Sequence, residues 1–358
     1  MLTTLAAMTL VSLAVQGQTD TTFAVPAGAS LSVNNFGGAI IVRGWTQNSV
    51  KVHAEHSRRG RIEVSIVGST VTVKTGSRGA PTVVDMEITV PQAMALNLGG
   101  TYAEITVEGV TGPIRAETVD GEINVRGGRG NITLSSVQGS VTLADASGRI
   151  ELTSVNEDID VDNVTGEIKI EATNGEVTMS RIRSSSVEAA TINGDVVYDG
   201  TINDGGSYSF TSHNGDITVT IPEKANVTIT GATANGDIDA SFPLPLTSTA
   251  GKRRWNFKLG TGSARLEVES FQGDIELRRP GEVEIDRDRD HKDKDHDQDH
   301  DFNFNFEFKF PFDRTNVVTN ASEYAARYAR EYAPKYAKQY GPRYAETYAR
   351  MYARYYKH

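Results

Sequence analysis

The sequence predicts an all-β fold, a β-solenoid with about 18 residues per coil. Three observations predict it. Apolar residues recur every nine positions from Ile105 through Ile114, Ile123, Ile132, Val141, Ile150, Ile159 and Ile168 to Val177. A second apolar residue follows two positions later, as in Val107, Val125, Leu134, Leu143, Leu152, Val161 and Ile170, with a residue that is usually polar between. Every second unit carries an amide or acid at one place: Asp120, Gln138, Asn156, Asn174, Asn193, Asn214 and Asn235. Alternation of apolar and polar residues is the mark of a half-buried strand. A fixed period of this size marks stacked units, none of which can bury its apolar edge alone.

The alternating corners set the repeat at eighteen rather than nine. The intervening units read Val110-Thr-Gly, Gly128-Arg-Gly, Ala146-Ser-Gly and Val164-Thr-Gly. One coil then holds two short strands and two unlike corners. The amides form a predicted structural ladder along one corner, bonding coil to coil. A train of hairpins is the competing fold, since Asn-Gly is a strong hairpin signal. Hairpins, however, need no invariant spacing, whereas in-register stacking does. Stacking also sets residues eighteen apart as vertical neighbours. It places Arg149 beside Glu167 and Glu151 beside Lys169, and gathers Glu122, Ser140, Asp158 and Glu176 into an acidic column. That column is either a solvated face or a place for a divalent cation.

The chain opens with an apolar run, Leu5 to Val15, too short to span a bilayer. It ends in Val15-Gln16-Gly17 and reads as a signal peptide over residues 1–17, although a basic leader is missing. Export to a bacterial periplasm, cell surface or extracellular space is the expectation. From Phe23 to Leu98 short alternating segments predict strands: Leu31-Ser-Val33, Ile40-Ile-Val42, Val50-Lys-Val52, Ile62-Glu-Val64, Val71-Thr-Val73 and Met86 to Val90. After Val187 the spacing loosens, with strand centres near Val196, Tyr208, Ile217, Val227 and Ile238. Residues 241–262 interrupt the pattern, and Lys252-Arg253-Arg254-Trp255 suggests a capping strand. Leu266-Glu-Val268 and Ile275-Glu-Leu277 read as the last coil of a solenoid domain spanning 18–285.

The composition then changes. Residues 286–301 alternate Asp with basic residues and His291, His296 and His300, which predicts a disordered acidic linker. Residues 302–313 begin with six alternating phenylalanines, a strand with one aromatic face. Such a strand docks on the solenoid or joins another chain by self-association. Residues 320–358 repeat tyrosine every four positions among Ala, Arg and Lys, predicting a C-terminal α-helical tail interrupted at Pro334 and Pro342. Tyr324, Arg327, Tyr328, Arg330, Tyr348 and Arg350 are its candidate surface-binding residues. A basic, tyrosine-rich helix suits an anionic lipid or wall-polymer surface.

Charge and chemistry exclude several classes of function. The net charge is −10 over 358 residues. Counting along the chain, residues 1–285 carry −11, 286–313 carry −5 and 314–358 carry +6. An acidic body is no nucleic-acid surface. With no cysteine, disulfides, thiol catalysis and cysteine zinc sites are excluded. No nucleophile elbow, Walker loop or H-E-x-x-H motif occurs. The calcium β-roll also repeats every nine residues, but its required Asp is replaced by Ile132 after Gly127-Gly128-Arg129-Gly130-Asn131. No catalytic residue, cofactor or metal site is predicted, and the expected partners are a cell-surface glycan, wall polymer or anionic lipid.

One resemblance adds to this reading. The opening Phe23-Ala-Val25, Leu31-Ser-Val33 and Gly38-Ala-Ile40-Ile-Val42, the repeated Asn174-Gly-Glu-Val177, Asn193-Gly-Asp-Val196 and Asn214-Gly-Asp-Ile217, and the closing Gln272-Gly-Asp-Ile275 carry it. Over residues 23–280 the chain resembles a bacterial exported putative-adhesin family of β-strand repeats, a domain family of unknown function. The resemblance implies a solenoid-like fold, an envelope location and a non-enzymatic role in adhesion or scaffolding, and transfers no catalytic residues. The alternatives are a carbohydrate-active β-helix and an envelope-stress sensor with a lipid-binding tail.

Overall fold

The computed structural model describes residues 18–56, 60–77, 83–244 and 254–281. The signal segment, the acidic linker, the phenylalanine strand and the tyrosine-rich tail lie outside the described residues. Among the described residues the regular elements are strands throughout. Each coil, or rung, is two strand segments that meet at a corner, and rungs stack in parallel. Ile132 lies between Ile114 and Ile150, and Val141 between Ile123 and Ile159. Vertical neighbours in the middle of the array are 18 residues apart. The Asn-Gly corners therefore turn between the two strands of one rung and do not close hairpins.

The core is the narrow interior between the two strand columns. Ile114, Ile132, Ile150 and Ile168 fill one side, each at most 1% exposed, and Ile123, Val141, Ile159 and Val177 fill the other at 0%. Stacking identical β-branched side chains removes both faces of each from water, which no single rung achieves. Tyr198, Tyr208 and Phe210 fill a wider part of the interior, with Tyr198 and Phe210 ring centroids 4.9 Å apart. Tyr198 Oη donates to Thr201 O at 2.8 Å and Tyr208 Oη to Ser184 O at 2.7 Å, so both buried phenols are satisfied.

The second corner needs left-handed backbone. Asp145, Asn163 and Arg181 occupy it with φ of 56°, 51° and 54°. Next to it, Gly166 has φ 129°, and a Cβ there would stand 2.0 Å from Gly148 O. Glycine is demanded by rung-to-rung contact as well as by dihedral. The looser spacing after Val187 has a local cause. A register shift pairs Thr165 with Arg183 but Glu167 with Ser186, which adds one residue to the coil. Further residues enter at the corner that precedes Ser207, and Asn193 and Asn214 are 21 apart.

The order of rungs departs from the order of the sequence at both ends. At the beginning, Ser30–Trp45 lies between Ala95–Val110 on one side and Thr70–Ser77 with Val84–Pro91 on the other. The outer rung is therefore built from a later stretch. Antiparallel strands cap it: Gly60–Val67 on Thr70–Ser77, and Ser49–His56 on Val84–Pro91, with Gln18–Ala24 outside that. At the far end, Ala264–Gln272 and Ile275–Arg278 do not form the last coil, as their place in the sequence suggests. They slot between the rung of Ser207–Asn214 and Ile217–Thr220 and the rung of Val227–Asn235 and Ile238–Ala240. Arg254–Leu259 runs antiparallel on Val227–Asn235 as a cap. Trp255 reaches over Gly231, and Phe257 stacks on it at 5.0 Å.

Candidate functional site

Three polar ladders run along the amide corner. In the first, Asn174 Nδ2 donates to Asn156 Oδ1 at 3.2 Å, Asn193 Nδ2 to Asn174 Oδ1 at 2.7 Å, and Asn214 Nδ2 to Asn193 Oδ1 at 2.7 Å. Asn156 Nδ2 donates to Val137 O at 3.1 Å. The structure thus brings Asn156, Asn174, Asn193 and Asn214 into one side-chain chain. Asp120 and Gln138 share the same column by backbone register, as do Asn235 and Gln272.

The second ladder was hidden in the sequence. Two positions before the amide stands a buried hydroxyl. Thr118 Oγ1 donates to Ala103 O at 3.0 Å, Ser136 Oγ to Gly121 O at 3.1 Å, Thr191 Oγ1 to Gly175 O at 3.2 Å, and Ser212 Oγ to Gly194 O at 2.9 Å. The pattern Ser/Thr-x-amide-Gly is the signal that finds it. In the third ladder the acid two positions after the amide accepts the backbone N–H of the next rung: Glu176 N–H donates to Asp158 Oδ1 at 2.7 Å and Asp216 N–H to Asp195 Oδ1 at 2.8 Å. The acidic column is thus tied to the backbone at these rungs. Among the described residues no group of three or more side chains has the arrangement of a metal site.

The outer face of the first strand column carries a charged cluster. Arg149 Nη2 meets Glu167 Oε1 at 3.1 Å, the vertical pair that the repeat predicts. Lys169 stands in register with Glu151 on one side and Glu188 on the other. Its ion pair, however, is with Glu171 on its own strand, at 2.8 Å. Residues two apart share a face of a strand, and the lysine bends over the more buried carboxylate. The Glu171 hydrogen bond raises the Lys169 pKa. Burial raises that of Glu171, against the opposing effect of Lys169. On the same face His213 and Phe271 stack at 4.8 Å, and burial lowers the imidazole pKa. On the other strand column, burial and then the Asp158 charge raise Asp160.

The amide column ends toward the first rungs in aromatics. Tyr102, 46% exposed, sits 18 residues before Asp120 and packs edge-on against Phe36 at 5.4 Å. Trp45, by contrast, is tied inward by Nε1 donating to Ser49 O at 2.8 Å. The tail candidates Tyr324, Arg327, Tyr328, Arg330, Tyr348 and Arg350 lie outside the described residues. What the described surface offers is repetition: outward side chains at the rung spacing of about 4.8 Å, with a charged cluster at mid-length and an aromatic pair near one end.

The family model Toastrack DUF4097 matches residues 29–278. No curated protein matches the chain. Similar solved structures are a putative cell adhesion protein from Clostridium sporogenes and two putative adhesins. The first is 13% identical with a TM-score of 0.22, over 73% of this chain and 99% of that one. A putative adhesin from Bacteroides fragilis is 11% identical, TM-score 0.31, over 74% and 98%. One from Parabacteroides merdae is 11% identical, TM-score 0.36, over 73% and 95%.

Proposed function

The chain belongs to the Toastrack DUF4097 family, and from that premise we propose that it is a non-enzymatic, exported binding scaffold that holds an extended polymer on its outer faces. One observation carries the reading. The polar residues that recur most strictly, the amide, hydroxyl and acid ladders, are spent on joining rung to rung. The repeat therefore supplies rigidity and spacing, and leaves recognition to outward side chains. Lys169, Glu151 and Glu188 offer charge-assisted hydrogen bonds to the hydroxyl or amide groups of a glycan. Tyr102 offers an aromatic contact at the end of the same molecule. A cell-surface or wall glycan fits these groups better than a polyanion, since residues 1–285 carry a charge of −11.

A glycan and wall-polymer binding screen tests this, using the full chain, a chain lacking residues 302–358, and the variants Lys169→Ala, Glu188→Ala and Tyr102→Ala. The expected outcome is a hit retained without residues 302–358 and weakened about tenfold by a face variant, the loss of roughly one charge-assisted contact. Absence of any polymer hit with all of these proteins removes the proposal. A hit abolished only by deleting 302–358 moves recognition to the tail. The carbohydrate-active alternative rests on Glu171, a carboxyl raised by burial beside other glutamates. It requires polysaccharide cleavage that Glu171→Gln abolishes.

A further inference from the structure

We propose that the rung of Ala264–Gln272 and Ile275–Arg278 is an exchangeable insert, able to leave its slot so that the Asn235 rung closes directly onto the Asn214 rung. Exchange of this rung does not depend on which polymer the faces bind. Asn235 follows Asn214 by the same 21 residues that separate Asn214 from Asn193, and Asn214 already stacks on Asn193 at that separation. The local chain is thus cut to the right length for sequential stacking. The structure instead holds Ile275 between Ile217 and Ile238.

The surfaces that would meet are already complementary. The inserted rung binds below through Ser270 Oγ donating to Gly215 O at 3.1 Å and Asp274 N–H donating to Asp216 Oδ1 at 2.8 Å. The Asn235 rung binds the inserted rung through the same groups, Thr233 Oγ1 to Gly273 O at 3.0 Å and Asp237 N–H to Asp274 Oδ1 at 2.8 Å. Thr233 and Asp237 therefore carry what Gly215 O and Asp216 Oδ1 accept. The interior is compatible too. Gly231 lies in the column of Val268 and Phe210, so it would place no bulk on the phenylalanine. Trp255 and Phe257 travel with the Asn235 rung as its plug.

The two registers differ by one rung-to-rung interface, and the intercalated one has more of it. It is therefore the resting state. The inserted rung is bonded along both edges and continues directly into the chain beyond Gly281. Tension along that chain pulls on this rung first. Exchange would release the rung without opening the core at Phe210, because the plug follows into its place. Packed elements with two discrete arrangements are how folds convert a local load into a switch.

The cysteine-free chain allows a direct test. Thr218, Glu276 and Asp239 form one outward column in that order. Thr218→Cys with Glu276→Cys reports the resting register and should close on first oxidation, which also shows that the variant folds. Thr218→Cys with Asp239→Cys spans two rungs, about 9.5 Å, beyond disulfide reach, and closes only after exchange. Thr218→Cys with Thr106→Cys, many rungs apart, closes only through general unfolding. The expected result is closure of the Thr218/Asp239 pair at least about tenfold faster than the Thr218/Thr106 pair, since only one rung has to move. Its disulfide form should become trypsin-sensitive after Arg278, the Arg279–Pro280 bond being resistant to trypsin, while circular dichroism stays that of a folded β protein. Equal closure rates for the two pairs, or closure without new cleavage after Arg278, would overturn the proposal.

Discussion

Asn193 shows how a single side chain serves the stack. Its amide nitrogen donates down to Asn174 and its oxygen accepts from Asn214 above. Asn193→Leu strips both bonds and leaves two neighbouring amides without that partner. A loss of about 2–4 kcal/mol is expected, from the cost of unsatisfied part-buried polar groups, and urea unfolding followed by circular dichroism measures it. His213 makes a pH prediction. Burial lowers its pKa, so the folded state resists its protonation. Its contribution to stability is full above the ordinary imidazole range and is lost as pH falls through the lowered folded value. His213→Phe keeps a ring against Phe271 and should flatten the stability profile on the acid side of the imidazole range. An unchanged slope would assign the acid sensitivity to other groups.

At the scale of the element, the unit is the eighteen-residue rung. The middle strands pair at that separation along their whole length, as Ser147 with Thr165 through Ser154 with Ala172. Asp145 and Asn163 have nearly the same left-handed backbone, φ 56° and 51°. Deleting residues 145–162 joins Ala144 to Asn163 and should give a folded protein one rung shorter, with the same β-type circular dichroism and a cooperative melt. Deleting only 145–153 removes half a rung. It sets the amide corner against the glycine corner and should prevent cooperative folding. Equal behaviour of the two deletions would mean that the nine-residue period, not the eighteen, is the structural unit. Repeat arrays tolerate loss of a whole unit because each touches only its neighbours.

At the scale of the whole molecule, both ends of the described strand stack are closed by the same topological device. A rung is threaded inside a neighbour that precedes or follows it in sequence, and antiparallel strands cover what remains. Capping protects strand edges that would otherwise pair with other chains. Polymer binding spread over many rungs should weaken in steps as face residues are removed one after another in the binding screen. A compact site would vanish with one substitution.

The sequence by itself determined the all-β class, the eighteen-residue coil, the inward isoleucine and valine columns, the amide column and the Arg149–Glu167 pair. Each follows from a period, and a period is a local property of the chain. It showed less of the candidate site. The hydroxyl ladder is not legible along one strand, because Thr118, Ser136 and Thr191 take their role from carbonyl partners on the neighbouring rung. The repeat sets Lys169 beside Glu151 because register fixes neighbours, while the bend of a flexible side chain toward Glu171 depends on how deeply each carboxylate is buried. Only the tertiary structure decided the order of the rungs. Ser-Phe-Gln-Gly-Asp-Ile and Thr-Ala-Asn-Gly-Asp-Ile present the same ladder groups to whatever lies beneath them. A code that most rungs share lets them stack, but leaves the choice of neighbour to chain connectivity and to the cap that closes over the end.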